Sequence, residues 1–209
     1  MPVTVREFTD LLRGGDLGAV VDQHVFADTP YVFRGAPEQF SVLVRHLARA
    51  LSVADDDVAI VGSGKTGFSL APDTFGRPFA ESSDVDVVVV APVVFDELWA
   101  AMREWGYQMP TRLAGVERNW MNRRMDDVFW GWFVPDRIRY QGLAFPDALK
   151  PVRDLSTKWF NTFRSLALYP GLAGHDYVGR LYRTWDHARM YHTDSLSKVR
   201  GELRRRGAI

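Results

Sequence analysis

Residues 82–90, SSDVDVVVV, decide the fold of this chain, because two aspartates there lead into a run of four valines. A nearly continuous β-branched run is typical of a buried strand at the centre of a sheet. Side chains alternate between the two faces of a strand, so Asp84 and Asp86 project on the same side, about 7 Å apart. Burial of unpaired carboxylates is costly, and hard oxygen-seeking cations offset that cost. The stretch therefore predicts a central strand with a cation site at its start.

A second stretch, residues 59–66, reads AIVGSGKT and loosely matches the GxxxxGK[ST] phosphate loop. That loop needs glycine-rich central positions, a helix that starts at the GK[ST] and a later strand that ends in an aspartate. Here strand residues, Ile60 and Val61, occupy the first central positions, and glycines and prolines follow Thr66. The acids of the next strand also stand at its start. The context therefore argues against a phosphate-loop kinase, which stays as a rival interpretation.

The same glycines have another use if residues 57–61 form a strand that ends in a turn. A Gly62-Ser63 turn presents backbone N–H groups and a hydroxyl to a triphosphate. We predict that Gly62, Ser63 and Gly64 bind a nucleotide and that Lys65, one residue further on, neutralises its phosphates.

The Gly62-Ser63 pair and the Asp84-Val85-Asp86 strand together resemble the DNA polymerase β-like nucleotidyltransferase superfamily. Its pattern is a helix, a strand that ends in Gly-Ser, an acid-apolar-acid strand and a third acid on a later strand. The resemblance covers residues 37–134. It implies a polymerase β-like core, which is a mixed sheet with flanking helices. The interval between the two motifs is about twice as long as is usual in that family. The extra residues, 64–83, are either a substrate loop or a sign that the two motifs do not align as they do in the family.

The resemblance also implies a metal centre. Asp84, Asp86 and a third acid would hold two Mg²⁺ or Mn²⁺ ions for transfer from a nucleoside triphosphate. Asp126 and Asp127 open the apolar stretch DDVFWGWFV, which favours a strand. Asp127 is the favoured third ligand, Asp126 is close behind it, and Asp136 is the third choice.

The acceptor is predicted less directly. The chain has no room for template domains, so the resemblance implies template-independent transfer of a nucleoside monophosphate to a hydroxyl. The compact chain resembles the nucleotidyltransferases of bacterial phage-defence and toxin-antitoxin systems, and this resemblance implies synthesis of a nucleotide or short oligonucleotide signal in antiphage defence. The alternatives are a toxin or antitoxin enzyme that modifies RNA or protein hydroxyls, including a tyrosine of its own, and an inactive nucleotide-binding module.

Composition sets wider limits. The chain has 209 residues and no cysteine, which excludes disulfides and thiol chemistry, and we expect a cytoplasmic protein without membrane insertion. Residues 1–100 carry 7 Lys+Arg and 15 Asp+Glu, whereas residues 101–209 carry 19 and 11. The basic half suits a single-stranded oligonucleotide product or primer. The sequence leaves open whether the protein forms a homo-oligomer.

Hydrophobic periodicity predicts an α+β (α/β) fold with an N-terminal helical segment over residues 1–36, a mixed core over 37–150 and a C-terminal helical region over 151–209. The resemblance implies that residues 37–150 are the catalytic core. Arg180, Arg183 and His187 are predicted to share the basic face of a helix. The predicted helices span residues 3–12, 37–51, 95–105, 155–168, 177–191 and 195–206, and the predicted strands span 57–61, 85–90, 126–134 and 137–143.

Overall fold

The computed structural model describes residues 3–108, 115–135 and 144–209, and in this part of the chain four strands form one mixed sheet. The strands are β1 (Val58–Val61), β2 (Val85–Val90), β3 (Trp132–Phe133) and β4 (Tyr177–Tyr182). Their spatial order is β1-β2-β4-β3, with β2 antiparallel to β1 and parallel to β4, and with β3 antiparallel to β4. Helices cover the sheet, so the predicted α+β fold is confirmed.

Strand β2 lies inside the sheet, as its valines predict. Val85, Val87 and Val89 belong to the hydrophobic core on one face, and Val88 and Val90 belong to the core on the other. All five side chains are buried. The run is apolar without alternation because both faces of the strand are covered.

Four helices cover the first face: α3 (Pro37–Leu51), α5 (Pro92–Gln108), α6 (Gly115–Phe129) and α7 (Lys150–Ser165). Proline is suited to the first turn of a helix because its missing N–H has no partner there anyway, and α3 begins in that way with Pro37. The helix ends where Ser52 adopts a left-handed conformation, with φ of 63°. The bounds of α3 agree with the predicted helix.

The second face is covered by both ends of the described chain: α1 (Val5–Gly14), α2 (Leu17–Val20), a π-helical turn (Val21–Phe26) and α8 (Trp185–Arg205). Thr4 and Glu7 form a capping box at the start of α1, with the Thr4 N–H donating to Glu7 Oε2 at 2.7 Å. Phe8 of α1 and Leu196 of α8 belong to the same core as Val88. The N-terminal segment therefore packs on the sheet itself.

The predicted helix over residues 177–191 is wrong. Its first six residues form β4, which pairs with β2 along the whole length of both strands, and α8 begins only after the capping residue Thr184. β4 therefore brings part of the 151–209 region into the centre of the sheet. Arg180 and Arg183 belong to this strand and the residue after it, not to a helix face with His187.

The predicted strand over residues 126–134 is also largely wrong. Helix α6 continues to Phe129, and only Trp132–Phe133 form a strand, after Gly131 turns the chain with φ of +76°. The predicted strand over residues 137–143 lies outside the described residues.

Short helical turns complete the description. α4 (Gly62–Thr66) follows β1 directly, where a turn was predicted. Single 3₁₀ turns are found at Tyr31–Phe33, Asp55–Asp57, Pro72–Thr74, Asp147–Leu149 and Leu166–Leu168. No helix in the described ranges is long and apolar enough to cross a membrane.

Candidate functional site

The two sequence motifs meet where β1 ends and β2 begins. Val61, the last residue of β1, is the register partner of Asp86. Gly62 follows with a left-handed φ of +63°, and a Cβ atom added to it would lie 2.5 Å from Asp86 Oδ2. Both the backbone conformation and this close approach require glycine. The backbone of the Gly-Ser motif is therefore in contact with the second carboxylate of the Asp-x-Asp motif.

Gly62, Ser63, Asp84 and Asp86 line a single cleft of about 710 Å³. Its other walls come from the loop between α4 and β2, from β4 and from α8. The loop includes most of residues 64–83, and residues 69–72, 74, 77, 82 and 83 of that segment line the cleft. Whether the segment is a substrate loop stays a prediction.

The two carboxylates differ in their surroundings. Both side chains are exposed, but Asp84 precedes β2, whereas Asp86 lies within the strand and lines the cleft. Partial desolvation by the surrounding protein raises the pKa of Asp86 to about 6, although its carboxylate still reaches solvent; Arg180 opposes the shift and Asp84 adds to it. A carboxylate with a raised pKa gains from a nearby cation, because the cation stabilises its ionised form. Asp86 is thus an acid whose surroundings favour a positively charged ligand.

Ser63 lines the cleft, whereas Gly64 and Lys65, which were predicted to bind the nucleotide with it, do not. A Cβ atom on Gly64 would lie 3.5 Å from methyl groups of Ile60 and Val85, so this glycine faces the core. The Lys65 ammonium group is buried and donates to the carbonyl oxygens of Ala27 and Asp28, the latter at 2.6 Å. Neither Gly64 nor Lys65 lines the cleft.

The predicted third metal ligand is not found at the site. Asp126 and Asp127 lie on α6, and neither lines the cleft. Asp127 is buried, and its Oδ2 forms an ion pair with Nη1 of Arg124, one helical turn earlier, at 2.7 Å. Asp136 lies outside the described residues. Within the described ranges, no group of three or more His, Cys, Asp or Glu side chains is placed to hold a metal ion.

The sequence named Arg180 but placed it on a helix face, and it did not predict the cluster that this residue forms on the cleft side of β4 and α8. The Arg180 guanidinium lies over the rings of Trp132 and Tyr191, at 4.7 and 4.4 Å from their centroids. His192 packs against the ring of Tyr191. Burial, and to a smaller extent the positive charge of Arg180, lower the pKa of His192 to about 4, so its imidazole is neutral near pH 7. The signal for this cluster was the alternation of VxRxY along residues 178–182, which places every second side chain on one face of a strand.

Comparison with known proteins adds no assignment: no family model, no curated protein and no solved structure matches the chain.

Proposed function

We propose that the protein is a metal-dependent nucleotidyltransferase that moves a nucleoside monophosphate from a ribo- or deoxynucleoside triphosphate to a hydroxyl acceptor. One observation supports this proposal above the others. A Gly-Ser turn and two same-face carboxylates, which lie about twenty residues apart in sequence, line the same cleft with Gly62 against Asp86. A metal-bound polyphosphate is bound by such groups: the carboxylates hold the cation, and the hydroxyl and the backbone N–H groups bind the phosphate oxygens.

The donor set fits one hard divalent cation. Mg²⁺ is usually bound through one or two carboxylates together with substrate phosphates and water, and Asp84 and Asp86 supply the carboxylates. Such an ion, when bound, supplies charge stabilisation for phosphoryl oxygens and orients the substrate. A second ion held by Asp127 does not fit, because that carboxylate is buried against Arg124.

The residues of the chain then have distinct roles in the transfer. The acceptor oxygen attacks the α-phosphorus, the bond from that phosphorus to the bridging oxygen breaks, pyrophosphate leaves, and the acceptor proton passes to water. Ser63 offers a hydroxyl to the phosphates, and Gly62 leaves room for them beside Asp86. The walls from the 64–83 loop and α8 restrict where the acceptor enters.

A catalytically inactive nucleotide-binding module is the second candidate. It is favoured by one observation: the described residues that line the cleft include two carboxylates, and the adjacent strand β4 contributes the cation Arg180 and no further acid. Such a protein would bind a nucleoside triphosphate without releasing pyrophosphate.

The test is incubation of the purified protein with Mg²⁺ or Mn²⁺ and each ribo- and deoxynucleoside triphosphate. Pyrophosphate release is measured in solution, and mass spectrometry of both the solution and the protein identifies the acceptor. Transfer predicts pyrophosphate release that is lost in the Asp84→Asn, Asp86→Asn double variant. The matched control is Asp126→Asn, an exposed carboxylate outside the cleft, which should retain activity.

The other outcomes separate the alternatives. Nucleotide binding without pyrophosphate indicates the inactive module, and release of the γ-phosphate indicates a kinase. An adduct on the protein indicates self-modification of a tyrosine or another hydroxyl. A role in oligonucleotide signalling or antiphage defence remains a prediction from the family resemblance.

A further inference from the structure

A third carboxylate beside Asp84 and Asp86 would be expected on a strand that flanks β2. The flanking strands are β1 and β4, and the face of Asp86 is shared by residues at alternate positions of each. None of these residues is acidic: they are Ala59, Val61, Val178, Arg180 and Tyr182. The register partner of Asp86 on β4 is Val178, and the charged residue of this face on the neighbouring strand is the cation Arg180, which pairs with Val88.

The position of Arg180 is fixed by aromatic rings. Trp132 comes from β3 and Tyr191 from α8, and the guanidinium lies within 4.7 Å of both ring centroids. Its Nε is buried and has no hydrogen-bond partner in the described part of the chain. The guanidinium also hydrogen-bonds the hydroxyls of Tyr182 and Tyr191, which occupies part of its donor set. A guanidinium has five N–H donors, so others remain for the phosphate oxygens that such cations bind. Arg180 also acts on Asp86 through its charge.

We propose that Arg180 is a phosphate-binding residue that serves as the second positive centre of the cleft, so that the site takes one divalent cation rather than two. The cation would be held by Asp84 and Asp86, and Arg180 would bind the phosphate oxygens on which charge accumulates as pyrophosphate leaves. This inference rests on the proposed function, because it assigns the group that binds the polyphosphate in the same cleft.

The first experiment measures binding of inorganic tripolyphosphate in the presence of Mg²⁺ by calorimetry, which requires no knowledge of the preferred base. Loss of one charge-assisted bidentate contact predicts about 10- to 100-fold weaker binding for Arg180→Met. The matched control is Arg183→Met, which removes an equal charge three residues away from a side chain paired with Asp96 at 3.0 Å. That variant should bind within about twofold of the natural protein, since exposed ion pairs contribute little.

The second experiment counts Mn²⁺ ions in the tripolyphosphate complex by native mass spectrometry. We expect one ion in the natural protein and a second ion in Arg180→Asp, which adds a carboxylate to the cleft. Two ions in the natural protein would overturn the inference, and this measurement does not depend on whether a variant folds.

Failure of the inference can be distinguished from failure of the proposed function. If Arg180→Met binds tripolyphosphate normally while the Asp84→Asn, Asp86→Asn variant does not, Arg180 is not the phosphate-binding residue and the proposed function stands. If the natural protein does not bind tripolyphosphate with either cation, both proposals fall.

Discussion

Replacement of Gly62 by alanine tests the contact that joins the two motifs. The residue has φ of +63°, and left-handed backbone costs a residue with a side chain about 1–2 kcal/mol. The new Cβ would also lie 2.5 Å from Asp86 Oδ2, so the carboxylate must move. Together these effects predict a loss of about 1–3 kcal/mol in the free energy of unfolding. For a chain of this size, each kcal/mol lowers the melting temperature by about 2–4 °C.

Urea denaturation followed by circular dichroism measures the loss, and a double-mutant cycle separates its two causes. In an Asp86→Ala background the carboxylate contact is absent, so Gly62→Ala should cost less, by at least about 0.5 kcal/mol. Gly201→Ala is the control: this glycine lies inside α8 with no atom within 4 Å of an added Cβ, and alanine should stabilise the helix by up to about 1 kcal/mol. A Gly62→Ala variant as stable as the natural protein, with unchanged Mn²⁺ affinity, would refute the described junction.

Two further predictions concern Lys65 and Gly179. Burial lowers the pKa of Lys65 to about 8 from an ordinary 10.5, so the folded chain binds fewer protons than the unfolded chain between these values. The free energy of unfolding of the natural protein, measured relative to that of Lys65→Met, should therefore rise with pH across this interval. If urea denaturation gives the same pH dependence for both proteins, the Lys65 ammonium group is not buried as described. Gly179 of β4 faces α7, where an added Cβ would lie 2.7 Å from ring atoms of Trp159 and Phe163. Gly179→Ala should thus destabilise the protein by about 1–3 kcal/mol in the same assay, and an unchanged midpoint would show that the rings can move aside.

The parts of the fold that the sequence predicts are those that local patterns determine. The valines of β2 and the three- and four-residue spacing of α3 each match one periodicity and one kind of burial. The Gly-Ser and Asp-x-Asp motifs were found for the same reason, because each is short and lies at the end of a strand. Their meeting in one cleft agrees with the prediction that the two motifs are partners.

The errors arose where distant partners decide the conformation. Residues 177–182 fit both a helical and an alternating pattern, and the choice is made by β2, which lies about ninety residues earlier and needs a neighbour along its second edge. Asp127 was assigned to the site because an apolar run follows it. Its partner is Arg124, and their three-residue spacing brings the two side chains together only on a helix.

The parallel pairing of β2 with β4 is also what brings the two charge distributions of the chain together. The acidic first half supplies Asp84 and Asp86, and the basic second half supplies Arg180 on the strand beside them. Neither half forms the cleft alone, because its walls come from β2 and its preceding loop on one side and from β4 and α8 on the other. Residues 37–150 therefore contain the recognisable motifs but not the whole cleft. Arg180, which we propose takes the place of a second cation, lies in the part of the chain that carries no motif.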